Sequence, residues 1–295
     1  VGCKIELVVL GVGQDAGIPQ IGNVKDPAWS GSERRYAATS LALIDKRENR
    51  RYLFEATPDI RGQLQQLDMH YPEGKGPLGI SGVFLTHAHI GHYAGLMFFG
   101  HESAGTNNLD VYAMPRMADY LTNNGPWSQL VDFDNITLQS LEDSTPVDLG
   151  TGLTVTPMTV PHRDEFSETV GFRIQTPGKN IFFVPDIDDW QKWQSEFGRD
   201  INAVLADVDL AFIDATFFDD NELPGRDMSK IPHPRVSESL EIFSDLVKSG
   251  ATDIHFIHYN HTNPIRFARS EQSRRVDAAG FSIARDGDVH CLVKG

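Results

Sequence analysis

Three histidines within six residues, at the end of an apolar run, constrain this chain more than any other feature. Ser81-Gly82-Val83-Phe84-Leu85-Thr86 leads directly into His87-Ala88-His89-Ile90-Gly91-His92. In extended backbone, residues two apart face the same side, so His87 and His89 turn both imidazoles one way. His92 lies three further on, where the strand gives way to a helix, and can turn back onto the same cavity. This is metal-ligand spacing, and imidazole nitrogen suits zinc, iron, nickel or copper. The chain must therefore end a strand near residue 86 and open a helix near residue 91 at one cleft.

The rest of the chain supplies strands in quantity. Residues 4–12 are nearly all apolar, as in a strand buried on both faces. Residues 39–45 and 51–56 flank a charged turn, a hairpin pattern. Thr57-Pro58-Asp59 opens a helix to about residue 67, with Thr57 as N-cap and Pro58 at its first position. Further strands are expected at 110–113, within 136–161, at 169–176 and 180–184, at 208–214 and at 253–258, with a closing hairpin at 282–284 and 289–293. Helices are expected at 115–123 and 237–248. Hairpins are too frequent for eight βα units. The expectation is a single domain over residues 1–295, a mixed α/β sandwich.

Composition excludes several classes. The 295 residues hold 41 acidic and 26 basic side chains, a formal net charge of −15. Such a chain repels phosphate backbones, so nucleic acid is not the expected partner. Mean hydropathy is −0.30, and no apolar run approaches the roughly 18–20 residues of a membrane span. The two cysteines, Cys3 and Cys291, make no zinc ribbon, although one bridge between the chain's ends is open to them. The start Val1-Gly2-Cys3 resembles the end of a bacterial lipoprotein cleavage site, so a periplasmic or lipid-anchored location is the expectation, with cytoplasm as the fallback.

The run from His87 to His92 resembles the His-x-His-x-Asp-His motif of the metallo-β-lactamase-fold hydrolases, which implies a four-layer αββα sandwich with metals at one edge. Residues 7–20 (LVVLGVGQDAGIPQ), 161–174 (PHRDEFSETVGFRI) and 256–264 (FIHYNHTNP) are similar to the branch containing pyrroloquinoline-quinone biosynthesis protein B. The superfamily's later ligands have counterparts here. His162 follows the strand ending at Val160, and Asp186 comes directly off the strand Ile181-Phe182-Phe183-Val184. In Ile254-His255-Phe256-Ile257-His258, alternation puts His258 on the apolar face and leaves His255 beside Asp253 as a surface residue. The resemblance thus implies His87, His89 and His162 for one metal, His92 and His258 for another, and Asp186 between them. Position 91 is glycine where the motif has aspartate. Asp15 and His261 are the residues considered as substitute ligands, and Gly91→Asp is expected to raise occupancy of the second position.

The chemistry this implies is metal-assisted hydrolysis of an ester, lactone, amide or phosphodiester in a small molecule. One or two zinc ions are expected, with iron or manganese as alternatives. Asp186 and His258 take catalytic roles, and Arg163 grips an anionic group of the substrate or pairs with Asp164 or Glu165. The competing readings are an iron-dependent oxidoreductase of the biosynthesis-protein type and a non-catalytic binding homologue. His70, His101, His233 and His290 have no companions at ligand spacing and read as surface or structural. Oligomeric state is not legible in the sequence.

Overall fold

Period-two alternation builds the sheets of the computed structural model, which describes residues 2–295. In chain order the strands are β1 (Cys3–Gly11), β2 (Ser40–Asp45), β3 (Arg50–Phe54), β4 (Gly82–Phe84), β5 (Leu109–Ala113), β6 (Ile136–Ser140), β7 (Val147–Gly150), β8 (Leu153–Thr159), β9 (Val170–Gln175), β10 (Asn180–Val184), β11 (Leu210–Asp214), β12 (Asp253–Ile257), β13 (Ser282–Ile283) and β14 (Val289–Lys294). They form two seven-stranded sheets, ordered β14-β1-β2-β3-β4-β5-β6 and β13-β12-β11-β10-β9-β8-β7. Each sheet joins an antiparallel half to a parallel half. In the first, β3, β4, β5 and β6 run parallel. In the second, β10, β11, β12 and β13 do.

Both faces of the central strands are covered. Phe183 meets Phe54 of the opposite sheet at 6.3 Å between ring centroids, whereas its neighbour Phe182 stacks on Trp193 of helix Trp190–Phe197 at 6.0 Å. In the first sheet Phe54 belongs to the core between the sheets, and Leu53 packs outward with Leu67 of helix Ile60–His70. One residue of alternation thus separates the inter-sheet layer from the helical layer. The result is the four-layer αββα sandwich of the metallo-β-lactamase fold.

Several elements differ from the sequence expectation. The helix after Pro58 runs from Ile60 to His70 with Asp59 at its N-cap position. Thr57 instead accepts the Asp59 N–H at 3.0 Å and donates to Gln63 at 2.6 Å. The expected helix over 237–248 breaks at Phe243, whose φ of −98° and ψ of 4° separate Val236–Ile242 from Ser244–Lys248. His255 is not a surface residue. It is 6% exposed and packs edge-on against His290, with Asp253 3.1 Å from Nε2. Cys3 and Cys291 are bridged between the paired strands β1 and β14, while Val1 lies outside the described residues. Among the described residues, no helix is long and apolar enough to cross a membrane.

Parallel strands place their carboxyl ends side by side, which is where open α/β sheets gather functional groups. Here β4 leads into His87, β10 into Asp186, and β12 into His258, while β11 ends on Asp214.

Candidate metal centre

The three clustered histidines take different backbones. His89 is extended, with φ −109° and ψ 143°, and stands at the N-cap position of the short helix Ile90–Tyr93. His92 lies in that helix and its N–H donates to the His89 carbonyl at 2.9 Å. The rings therefore converge: His87 and His89 lie 4.5 Å apart between centroids, and His87 and His92 lie 4.2 Å apart.

Main-chain hydrogen bonds stitch the distant segments to this run. The Val170 N–H donates to Thr86, and the Ala88 N–H to the Ser167 hydroxyl, which together hold the 161–169 loop alongside. The Asp188 N–H donates to Pro161, and the His233 N–H donates to Asp188. His162 is thereby set beside the others, at 5.1 Å between ring centroids from both His87 and His89.

Asp186, 2% exposed, sits in the middle. Its Oδ2 is 2.9 Å from His92 Nε2, 3.2 Å from His258 Nε2 and 3.5 Å from His87 Nε2, and its Oδ1 is 3.8 Å from His162 Nε2. Burial works against its charge, but His258, His162 and His92 outweigh that and hold the carboxyl well below its usual range. Burial pushes His87 well below the ordinary imidazole value, with neighbouring His92 adding to the effect. It also lowers His258. Neutral imidazole is the form that ligates a metal.

The outer ring nitrogens have their own partners. Glu55, at the end of β3 and 1% exposed, receives His92 Nδ1 in a short contact, and it also accepts the Thr86 N–H at 2.8 Å. Burial raises the Glu55 carboxyl, and burial alone would lower His92, but the Glu55 and Asp186 carboxylates hold His92 well above its ordinary value. The Thr86 hydroxyl meets His87 Nδ1 at 2.8 Å. Asp188 lies 3.1 Å from His162 Nδ1 and 2.9 Å from Lys192 Nζ. Burial opposes its charge, yet these two bonds bring its pKa down to about 2. Thr216 lies 3.0 Å from His258 Nδ1. Such partners fix a ring so that its other nitrogen points inward.

The inward nitrogens fit a divalent cation. His92 Nε2 and His258 Nε2 are buried, and although Asp186 Oδ2 lies 2.9 and 3.2 Å away, neither makes an aligned hydrogen bond, an arrangement that costs free energy unless something else coordinates them. His87, His89 and His162 offer ligand atoms all within 4.8 Å of one another, and so do Asp15, His92 and His258. Strained backbone marks the same place. Asp15 (φ 45°), Glu55 (φ 81°), His233 (φ 89°) and His258 (φ 62°) all lie in left-handed territory, at about 1–3 kcal/mol each for residues without a glycine's freedom.

Of the other residues singled out by sequence, His261 stays apart. Its Nδ1 is 3.5 Å from Asn23 and its carbonyl accepts from Arg266. Arg163 is exposed and reaches 3.4 Å from His89 Nε2, with Glu165 3.7 Å from its Nε. Asp164 pairs with Arg116 at 3.6 Å. A cavity of about 230 Å³ opens over the centre, lined by Asp15, His89, His162, Arg163, Asp186 and His233 among others. A larger hollow of about 520 Å³ beside Trp29 and Arg61 contains none of the ligand clusters.

His233, expected at the surface or in a structural role, is not at the surface. It is 8% exposed in its side chain, with Nδ1 2.7 Å from Asp214. Burial works to lower it, and Asp214 and Asp186 raise it to about 9. Asp214 and Glu55 also belong to the centre without being singled out by sequence, whereas Asp188, a rival of Asp186 for the strand-end position, lies at the outer nitrogen of His162. For Asp214 and Glu55 a signal existed: each acid ends an apolar strand (LAFID, RYLFE), as Asp186 does. His233 had no local signal, since it stands alone between Pro232 and Pro234.

Comparison with known proteins agrees with the fold. The beta-lactamase superfamily domain matches residues 50–259. Coenzyme PQQ synthesis protein B of Methylorubrum populi is 27% identical over 313 aligned residues, covering 96% of this chain and 98% of its own. Among solved structures, Zn(2+)-bound PqqB from Methylobacterium extorquens aligns with a TM-score of 0.77 at 22% identity, covering 97% of this chain and 99% of that one. A diphosphatase from the PhnP family aligns with a TM-score of 0.64 at 22% identity, covering 97% and 96%.

Proposed function

The chain belongs to the beta-lactamase superfamily, and from that premise we propose that it is a metal-dependent hydrolase acting on a small molecule with an ester, lactone, amide or phosphodiester bond. The observation that carries this reading is the convergence of His87, His89 and His162 beside a buried carboxylate and two buried imidazole nitrogens that make no aligned hydrogen bond. In this reading His87, His89 and His162 hold one ion, and His92 and His258 contribute to a second position, with Asp186 between the two. Zinc is the proposed ion, supported by the nitrogen-rich donor set and by the zinc-bound structure of similar fold.

A zinc ion supplies Lewis acidity and makes water a competent nucleophile near neutral pH. The chain's own residues do the rest. Asp186 orients the nucleophile by accepting its hydrogen bond. Arg163, exposed at the cavity mouth, grips an anionic substrate group in a fork. His233, its Nδ1 fixed by Asp214, lines the cavity and donates to a substrate oxygen from its other nitrogen. The net charge of −15 supports a small molecule over a nucleic acid. The Cys3–Cys291 bridge supports an oxidising compartment such as the periplasm. Residues 1–295 are proposed to fold as one unit.

Hydrolysis of a panel of esters, lactones, β-lactams and phosphodiesters, abolished by chelation and restored by zinc, is the expected result. The competing reading remains the iron-dependent oxidoreductase that the sequence resemblance implies, and full-length similarity to coenzyme PQQ synthesis protein B bears on kinship alone. Iron in the protein as purified, with O₂ uptake on adding substrate, would replace the hydrolase by that reading.

A further inference from the structure

In the motif that residues 87–92 resemble, an aspartate precedes the last histidine, and here that position is Gly91. The space for a side chain at 91 is already filled. A Cβ added to Gly91 would fall 2.4 Å from Asp15 Cα and 2.7 Å from the Asp15 carbonyl oxygen. Both are backbone atoms, which cannot swing aside as a side-chain tip does.

The occupying segment is held in place. The Gln14 N–H donates to the Tyr259 carbonyl at 3.0 Å, directly after His258, and the Gly17 N–H closes a turn onto Gln14 at 3.0 Å. Gly17 has φ +79°, and a Cβ there would lie 2.7 Å from the Tyr36 carbonyl oxygen, so the turn needs glycine. Asp15 takes φ 45°, a region that aspartate tolerates better than most residues. The turn brings an Asp15 carboxylate oxygen within 4.8 Å of ligand nitrogens of both His92 and His258. These two histidines carry the buried Nε2 atoms that face Asp186 without an aligned hydrogen bond.

We propose that Asp15 supplies, from the loop after β1, the carboxylate that the motif places at position 91, and that Gly91 is the steric condition for this exchange. The second cation is then held by Asp15, His92 and His258 with Asp186, and one of its ligands rides on a surface loop instead of the histidine helix. This rests on the metal reading above. It reverses the sequence expectation for Gly91→Asp: that side chain would collide with the Asp15 backbone, displacing one carboxylate to introduce another.

The test is zinc stoichiometry and affinity, measured with zinc alone by elemental analysis and chelator competition. It compares the native chain, Asp15→Asn, Gly91→Asp and the double variant Asp15→Gly/Gly91→Asp. The native protein is expected to bind two ions. Asp15→Asn keeps the first and weakens the second by more than ~10-fold, since losing a ligand costs at least as much as losing an outer partner. Gly91→Asp alone does not tighten the second ion. The double variant does not recover it, because the collision is with the residue 15 backbone, which Asp15→Gly leaves in place; recovery there would overturn the steric condition. Unchanged second-ion affinity in Asp15→Asn, tighter binding in Gly91→Asp alone, or a native protein that holds a single ion would each overturn the exchange while leaving the first position standing. A native protein that binds no zinc would overturn the exchange and the metal reading together.

Discussion

The two sides of the centre are built by different means. On the first side, His87 and His89 come from one stretch of chain, and His162 joins them across the sheets. Those rings partly support one another, with His87 Nε2 2.9 Å from His89 Nδ1, and His89 still reaches solvent. On the second side nothing is contiguous. His92 and His258 are 1% and 0% exposed, their inner nitrogens make no aligned hydrogen bond, and the nearby carboxylate of Asp15 comes from an exposed loop. The first side is written in local spacing. The second is recognisable only from burial and from groups left unpaired, and its outer ring contacts, from Glu55 and Thr216, lie inside the protein.

If the two sides are separate ligand sets, they should be separable by mutation. The largest effect is expected from His162→Ala. First-side zinc affinity should fall by more than ~100-fold and hydrolysis should drop to background, with the second ion retained in chelator titration. Equal loss of both ions would mean that the sides form one unit. Glu55→Gln should weaken the second side by ~10–100-fold, because His92 loses the carboxylate that orients it. Isothermal titration would read this as a change confined to one of two binding steps. Asp188→Asn mirrors it on the first side with about 10-fold, since His162 keeps an amide oxygen as partner. An effect of Asp188→Asn on the second binding step would break the comparison.

The smallest effect concerns the framework of the second side. Glu222 accepts from Thr262 at 2.5 Å and from the Phe218 N–H at 2.6 Å, tying the segment after His258 to the segment after Asp214. Burial pushes its carboxyl up to about 7. A folded-state pKa raised above the ordinary carboxylate value gives stability that is full below about 4.5 and is lost as pH rises through about 7. The Tm of metal-free protein should therefore decline between pH 5 and pH 8, and Glu222→Gln should flatten part of that slope. An unchanged slope would remove Glu222 from the account.

How much could be read beforehand follows the same division. The strand leading to His87, the acid ending β10 and the histidine ending β12 all carry local patterns, apolar runs that stop at a polar residue. These patterns pointed to Asp186 and to His258 over His255, although they put His255 on the surface, where the fold buries it against His290. Glu55 and Asp214 end strands in the same way and were overlooked because their residue type has many innocent uses in so acidic a chain. His233 was illegible. It arrives on a loop between two prolines, and hydrogen bonds to the Asp188 carbonyl and the Asp214 carboxylate, both distant in sequence, bring it to the cavity.

By itself, the order of residues determined the sandwich of sheets and the histidine run, because alternation and i, i+2 spacing are properties of a few consecutive residues. It also displayed the glycine at 91, though not what that glycine is for. Only the tertiary structure decided that the Asp15 backbone fills the place of a side chain there, that Glu55 backs His92, and that His233 faces the cavity. Those are contacts between segments tens to hundreds of residues apart. Their geometry is set by strand register and main-chain hydrogen bonds across the fold, which no local pattern encodes.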